Sequence, residues 1–192
     1  MDSRFAATIK QIAMAEASPQ PYGKVNDASF QPGEGQTVRF GWRRLKEYFE
    51  VAAKFKEQHW KISGYLDGVK IRGKRIPQPG QSGVSWCGIF ATYVWIKAGV
   101  PDIRWAMPGV AGPNVKKIAG SAGIGIGDIA VEKGSLVHHC IVTAINGTSV
   151  ETVNGNSDYQ GITIKNKPIS NISYFYTIQD DFYNYLESQY GQ

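Results

Sequence analysis

The stretch SWCGIFATYVWIKAG spans residues 85–99 and separates two regions of different character. From Cys87 to about Ala98 it is apolar on nearly every side, and Gly99 and Pro101 follow, so it predicts a buried helix with a glycine stop. Helical patterns precede this stretch, and short strand patterns follow it. The sequence therefore predicts an α+β fold in which N-terminal helices pack against a C-terminal antiparallel β-sheet.

The region before the buried helix contains two helical patterns. Residues 3–17 carry apolar side chains on one face and stop at Ser18-Pro19, which predicts a short helix. Residues 38–60 repeat apolar side chains at spacings of three and four, the clearest amphipathic pattern in the chain. Residues 19–35 and 64–83 are rich in turn-forming residues, so both are predicted to be loops.

The region after the buried helix begins with a glycine-rich stretch, residues 109–127, in which no strand is predicted. Short runs of β-forming residues follow, and Asn146-Gly147 between two of them predicts a hairpin. The predicted strands cover residues 128–131, 137–145, 148–153, 162–165 and 172–178.

Cys87 occupies the first turn of the predicted buried helix. The positive end of the helix dipole and the free N–H groups of that turn stabilise a thiolate, so the thiol pKa is expected to fall. The same N–H groups can hold an oxyanion. Taken alone, Cys87 is better interpreted as a core thiol, because free cysteine is among the most buried residue types. A catalytic reading requires a histidine as the proton carrier.

The chain has three histidines. His59 ends the amphipathic pattern and is interpreted as a C-terminal helix residue favoured by the dipole. His138 and His139 are neighbours on a predicted strand, where adjacent side chains point to opposite faces, so only one of them is expected to reach Cys87. An amide on the next strand, Asn154 or Asn156, is expected to orient that imidazole.

The register of the hairpin determines which histidine meets which amide. With a loop of residues 146–147 only, His139 lies opposite Asn154. With a three-residue bulged loop, His138 lies opposite Asn156 and shares a face with Asn154. Local pairing alone leaves both registers open.

Four short blocks occur in a fixed order along residues 80–178, and together they resemble the CHAP family, the cysteine, histidine-dependent amidohydrolase/peptidases. The blocks are Trp86-Cys87-Gly88-Ile89-Phe90, Gly127-Asp128-Ile129-Ala130-Val131, His138 two positions before the small Cys140, and Val153-Asn154-Gly155-Asn156.

The resemblance implies a papain-like fold and a set of roles. The family places a small residue two positions after the catalytic histidine, facing the cysteine helix, which implies that His138 is the base and that Cys140 packs there. Asn154 replaces a glutamate that many members carry, and either it or Asn156 would orient the histidine. Trp86 would line a substrate groove or anchor the helix. Free thiols are expected, and no metal or cofactor is required.

The function implied by the resemblance is hydrolysis of amide bonds in bacterial peptidoglycan, by an amidase or an endopeptidase. Two alternatives stay open: a cysteine hydrolase of a cytoplasmic amide or protein, and an inactive wall-binding module. No secretory signal is recognisable, so delivery to the periplasm or cell wall is expected by another route. An antibacterial effector or a phage lysis factor fits this form, and an effector would have a cognate immunity protein at the Cys87 groove.

Length and composition set the remaining expectations. The 192 residues are expected to form a single catalytic domain, with residues 1–75 as a helical N-terminal extension. A net charge of +5 favours anionic partners. The basic cluster at residues 70–75 lacks interleaved aromatics and is interpreted as a solvated loop, so no nucleic acid is expected. The apolar runs are too short to span a membrane. A monomer is expected.

Overall fold

The computed structural model describes residues 3–26, 42–54, 85–132, 134, 137–158 and 161–178. Several sequence predictions concern residues outside these ranges. They are the ends of the amphipathic pattern with His59, the loop at residues 64–83 and the basic cluster.

Three α-helices occur in the described part of the chain: α1 (Ser3–Glu16), α2 (Trp42–Ala53) and α3 (Cys87–Lys97). Short 3-10 turns lie at Lys24–Asn26 and Ile169–Asn171. All three α-helices confirm helical patterns in the sequence. None of them is long and apolar enough to cross a membrane.

Helix α3 is buried along its length, from Cys87 to Trp95. It packs between the other helices and a β-sheet, which explains why its sequence is apolar on nearly every side. Gly99 ends the helix with φ +90°, a conformation that a residue without Cβ adopts at little cost. The Gly99 N–H then donates to the Ile96 carbonyl at 3.0 Å.

The described strands are β1 (Arg104–Ala106), β2 (Gly109–Ala111), β3 (Val115–Ala119), β4 (Ile129–Glu132), β5 (His138–Asn146), β6 (Ser149–Ser157), β7 (Gly161–Pro168) and β8 (Ile172–Ile178). Six of them form one antiparallel sheet, in the order β3-β8-β4-β5-β6-β7, and β1 and β2 form a separate pair. The predicted α+β class is confirmed.

The prediction of no strand in residues 109–127 is wrong. Strands β2 and β3 lie there, and β1 lies just before them. These strands have three to five residues, and their local sequence carries no alternating pattern. Their partners define them: Lys117 of β3, for example, pairs with Tyr176 of β8, far away in sequence.

The β5–β6 hairpin has a register that neither predicted loop describes completely. Asn146 pairs with Ser149, so the turn is Gly147-Thr148. A β-bulge between Val142 and Ala144 then shifts the register by one residue, so that Ile141 pairs with Val153. If this register is continued to the start of β5, His138 lies opposite Asn156, which is the pairing predicted for the three-residue bulged loop.

The two faces of the sheet have separate cores. Ile141 and Val153 belong to the cluster that contains α3, whereas Cys140 and Val142 belong to a second cluster with Phe175. Cys140 therefore faces away from α3, which corrects the expectation that it packs against the cysteine helix. The reason is the alternation of side chains along β5, which gives Ile141 the face towards α3.

The N-terminal helices share the core of α3. Phe5 and Ile9 of α1 and Phe49 of α2 are buried in the same cluster. Glu16, at the end of α1, is also buried; its carboxylate accepts hydrogen bonds from Arg44 Nε at 2.9 Å and from the Tyr48 hydroxyl. An ionic contact thus joins α1 to α2 beside the apolar core.

Candidate active site

Cys87 is the first residue of α3, and its side chain is 3% exposed. Its Sγ lies 3.3 Å from Ser85 Oγ and 4.0 Å from the Val137 carbonyl oxygen. The thiol borders a cavity of about 220 Å³. The cavity is lined by Ser85, Cys87, Trp105, Met107, Pro108, Val137 and His139.

The thiol of Cys87 is strongly acidic. Burial by itself would raise its pKa, but hydrogen bonds from His138 and His139, together with the charge on His138, lower it to about 5. A hydrogen bond with Ser85 acts in the same direction. At neutral pH the sulfur is therefore a thiolate, the nucleophilic form of cysteine.

His139 contacts the sulfur from the face of the sheet that α3 covers. Its Nδ1 lies 3.9 Å from Cys87 Sγ, and the residue is 2% exposed. The imidazole is perpendicular to the ring of Trp105 at 5.0 Å and nearly parallel to the ring of Tyr176 at 6.1 Å. Among the described residues, its Nε2 has no hydrogen-bond partner. Aromatic packing thus holds this ring.

His138 is held by an amide instead. Its Nε2 lies 3.2 Å from Asn154 Oδ1, and it contributes to the low pKa of Cys87. The expectation that only one histidine reaches the thiol is wrong. The sulfur lies 4.0 Å from the carbonyl oxygen of Val137, the residue before β5, and the first two side chains of that strand both lower the pKa of the thiol.

Asn154 is fully buried, and its amide has a defined orientation. Nδ2 donates to the carbonyl oxygen and the hydroxyl of Thr152, both at 3.0 Å, and to the Thr163 carbonyl at 3.4 Å. Oδ1 accepts from Lys167 Nζ at 2.7 Å. The amide oxygen is thereby directed to His138, so the accepting atom faces the imidazole N–H.

Asn156 has a different partner. Its Nδ2 donates to Ser85 Oγ at 3.3 Å, and its backbone has φ +55°. Ser85 Oγ in turn contacts the sulfur of Cys87. Of the two amides that the sequence offered, Asn154 therefore contacts the imidazole, and Asn156 supports the serine beside the thiol.

Of the two roles that the sequence suggested for Trp86, the structure supports the second. Trp86 is 2% exposed and packs on Tyr48 at 6.2 Å between ring centroids, so it anchors the start of α3 and does not line the cavity. Trp105 lines the cavity instead. It crosses α3 at Gly88, where an added Cβ would lie 2.1 Å from the indole. Trp105 belongs to no sequence motif, so only the structure, in which β1 pairs with β2, shows that it lies at the cavity.

The other residues singled out in the sequence lie away from the thiol chemistry. Asp128 accepts the Gly125 N–H at 2.7 Å and thereby closes the turn that precedes β4. Both cysteines are free, as predicted. Burial raises the pKa of Cys140 to about 12, so this thiol is inert at neutral pH. Among the described residues, no group of three or more His, Cys, Asp or Glu side chains is arranged to hold a metal ion.

Comparison of the chain with models of known protein families gives no match, and comparison with curated proteins gives none either.

Proposed function

We propose that this chain is a cysteine hydrolase that cleaves amide bonds, with Cys87 as the nucleophile, His138 as the acid and base, and Asn154 as the residue that orients the imidazole. One observation carries the proposal: Cys87, whose thiol is acidic, begins a buried helix, and His138, which lowers the pKa of that thiol, is bound through Nε2 to the amide oxygen of Asn154. Together these residues supply a nucleophile, a proton carrier and an orienting acceptor.

In the proposed reaction, the thiolate of Cys87, paired with a protonated His138, attacks the amide carbonyl carbon. The oxyanion that forms is held by N–H groups at the start of α3, which have no acceptor within the helix. The imidazolium then protonates the amide nitrogen, the C–N bond breaks and the amine leaves. Water, deprotonated by His138, attacks the thioester, releases the carboxylic acid and restores the thiol.

The proposed substrate is bacterial peptidoglycan. Its support is the resemblance of residues 80–178 to the CHAP family, including a papain-like arrangement, and the net charge of +5, which suits an anionic wall. The cavity beside the thiol favours an uncharged side chain next to the scissile bond, because Trp105, Met107, Pro108 and Val137 form most of its wall.

The test is digestion of purified sacculi, followed by mass spectrometry of the soluble products. The wild-type protein should release muropeptides or free stem peptides, and Cys87→Ala should release none. Free stem peptides identify an amidase, whereas cleaved crossbridges identify an endopeptidase. Cys140→Ala is the matched control and should stay active, because that thiol faces the other side of the sheet. Digestion by Cys87→Ala, or loss of wild-type activity in a chelator, contradicts the proposal.

Site of action and regulation are part of the same proposal. The enzyme would act in the periplasm or cell wall after delivery, and an immunity protein would cover the cavity at Cys87. Expression with an added export signal should therefore lyse cells, whereas expression without it should not. Killing without wall damage by the unexported form would favour a cytoplasmic amide or protein substrate.

A further inference from the structure

Lys167 reaches the candidate site from β7, two strands away from His138. Its Nζ donates to Asn154 Oδ1 at 2.7 Å, and this same oxygen lies 3.2 Å from His138 Nε2. The lysine side chain is 13% exposed, so the contact is well shielded from water. A single amide oxygen therefore receives both a lysine and a histidine.

The ammonium of Lys167 is also paired with a carboxylate. Its Nζ contacts Oε1 of Glu132, on β4, whose side chain is 19% exposed. An isolated ammonium beside the imidazole would oppose the positive charge that His138 carries after it takes a proton. With Glu132 in place, the pair has no net charge and still presents an N–H donor to the amide.

We propose that Lys167 is a positioning residue, which holds the amide of Asn154 with its oxygen towards His138 and thereby fixes the tautomer and the ring orientation of that histidine. The inference rests on the proposed function for its catalytic meaning. Its physical basis is that the two ends of an amide have nearly the same shape, so only their hydrogen-bond partners distinguish them. A flipped amide would direct its NH₂ group at an ammonium.

Loss of the lysine would weaken the orientation of His138, although the hydrogen bonds that Asn154 Nδ2 donates would stay. With the imidazole less well held, its hydrogen bond to the thiolate of Cys87 becomes weaker. A hydrogen bond to a charged group is worth enough to change a rate by about 10- to 100-fold. The same loss would shift the titration of the thiol upward by about one pH unit.

The test compares three variants of the full chain. Lys167→Met removes the donor and one charge, whereas the double variant Lys167→Met with Glu132→Gln removes the donor and leaves the local net charge unchanged. Lys165→Met, on the same strand and paired with the exposed Asp158 at 2.9 Å, is the matched control. Thermal unfolding of each variant establishes that it folds, and Lys167→Arg, which keeps a charged donor, should recover most of the loss.

Two readouts are measured: the pH profile of Cys87 alkylation by iodoacetamide, and kcat and KM for digestion of sacculi. We expect both lysine-to-methionine variants at position 167 to shift the alkylation profile upward and to lower kcat about 10- to 100-fold at similar KM. Lys165→Met should match the wild type. A charge-matched double variant that behaves like the wild type would overturn the proposal, since charge alone would then explain the single variant.

Failure of the proposed function gives a different result. Alkylation needs no substrate, so a shifted profile without any digestion by the wild type would leave Lys167 as a positioning residue of a thiol site with another substrate. If the wild type digests sacculi and the double variant behaves in the same way, the proposed hydrolase function stands and Lys167 has no positioning role.

Discussion

The acidity of Cys87 predicts an unusual dependence of alkylation on pH. With a pKa of about 5, in place of the ordinary 9.0, the thiol should react with iodoacetamide at a rate that rises near pH 5 and is constant above about pH 6. An ordinary thiol shows a rate that is still rising at pH 8. The perturbation is therefore the pH itself, applied to the unmodified protein.

The magnitudes show why the profile, and not one rate at neutral pH, is the informative measurement. At pH 7 a thiol of pKa 5 is about 99% thiolate and one of pKa 9.0 is about 1%. The more acidic thiolate is also less nucleophilic, by about 60-fold for a difference of four units, so the two rates nearly cancel at pH 7. At pH 6 the acidic thiol should react about tenfold faster than the ordinary one.

The assay is mass spectrometry of the alkylated protein after short exposures between pH 4 and pH 9. Cys140 is an internal control: it is fully buried with a pKa raised by burial to about 12, so it should be labelled only after unfolding. An inflection for Cys87 near pH 8.5 or above would refute the reasoning, and so would equal labelling of the two cysteines in the folded protein.

Three further outcomes are expected. His138→Ala should reduce the rate of hydrolysis by about 10²- to 10⁴-fold, whereas His139→Phe, which keeps an aromatic ring against its neighbours, should reduce it only about tenfold. Digestion rates measure both variants, and a larger loss for His139→Phe would make His139 the base. Gly88→Ala should destabilise the fold by about 1–3 kcal/mol in urea titration, because its Cβ would meet Trp105, and an unchanged midpoint would contradict that contact. Glu16→Gln should lower the free energy of unfolding by about 2 kcal/mol in the same assay, because Arg44 then keeps only the partly exposed Glu47 as its countercharge. A loss below about 0.5 kcal/mol would show that Glu47 and water replace the carboxylate.

The sequence alone determined the parts of this protein that depend on local pattern. The run from Cys87 to Ile96 is apolar on nearly every side and long enough for almost three helical turns, which predicts a buried helix. The runs after residue 127 are rich in β-forming residues and end at turn residues, so their positions could be predicted as well. Residue type and spacing identified Cys87 as a candidate and left His138 or His139, and Asn154 or Asn156, as its partners; the choice of His138 came from the resemblance to the CHAP family.

Tertiary structure decided the contacts between those parts. The bulge within β5 sets the register of the hairpin, and nothing in residues 142–144 specifies it. Both histidines act on the thiol because the sulfur lies beside the residue that precedes the strand, a position that no alternation rule describes. Trp105 lies in the local β1–β2 hairpin and Lys167 in the strand after β6, and only the packing of that hairpin on Gly88 and the contact of Lys167 with Asn154 bring them to the site. The physical reason is that periodicity fixes which face a side chain takes, whereas packing fixes what lies across from it.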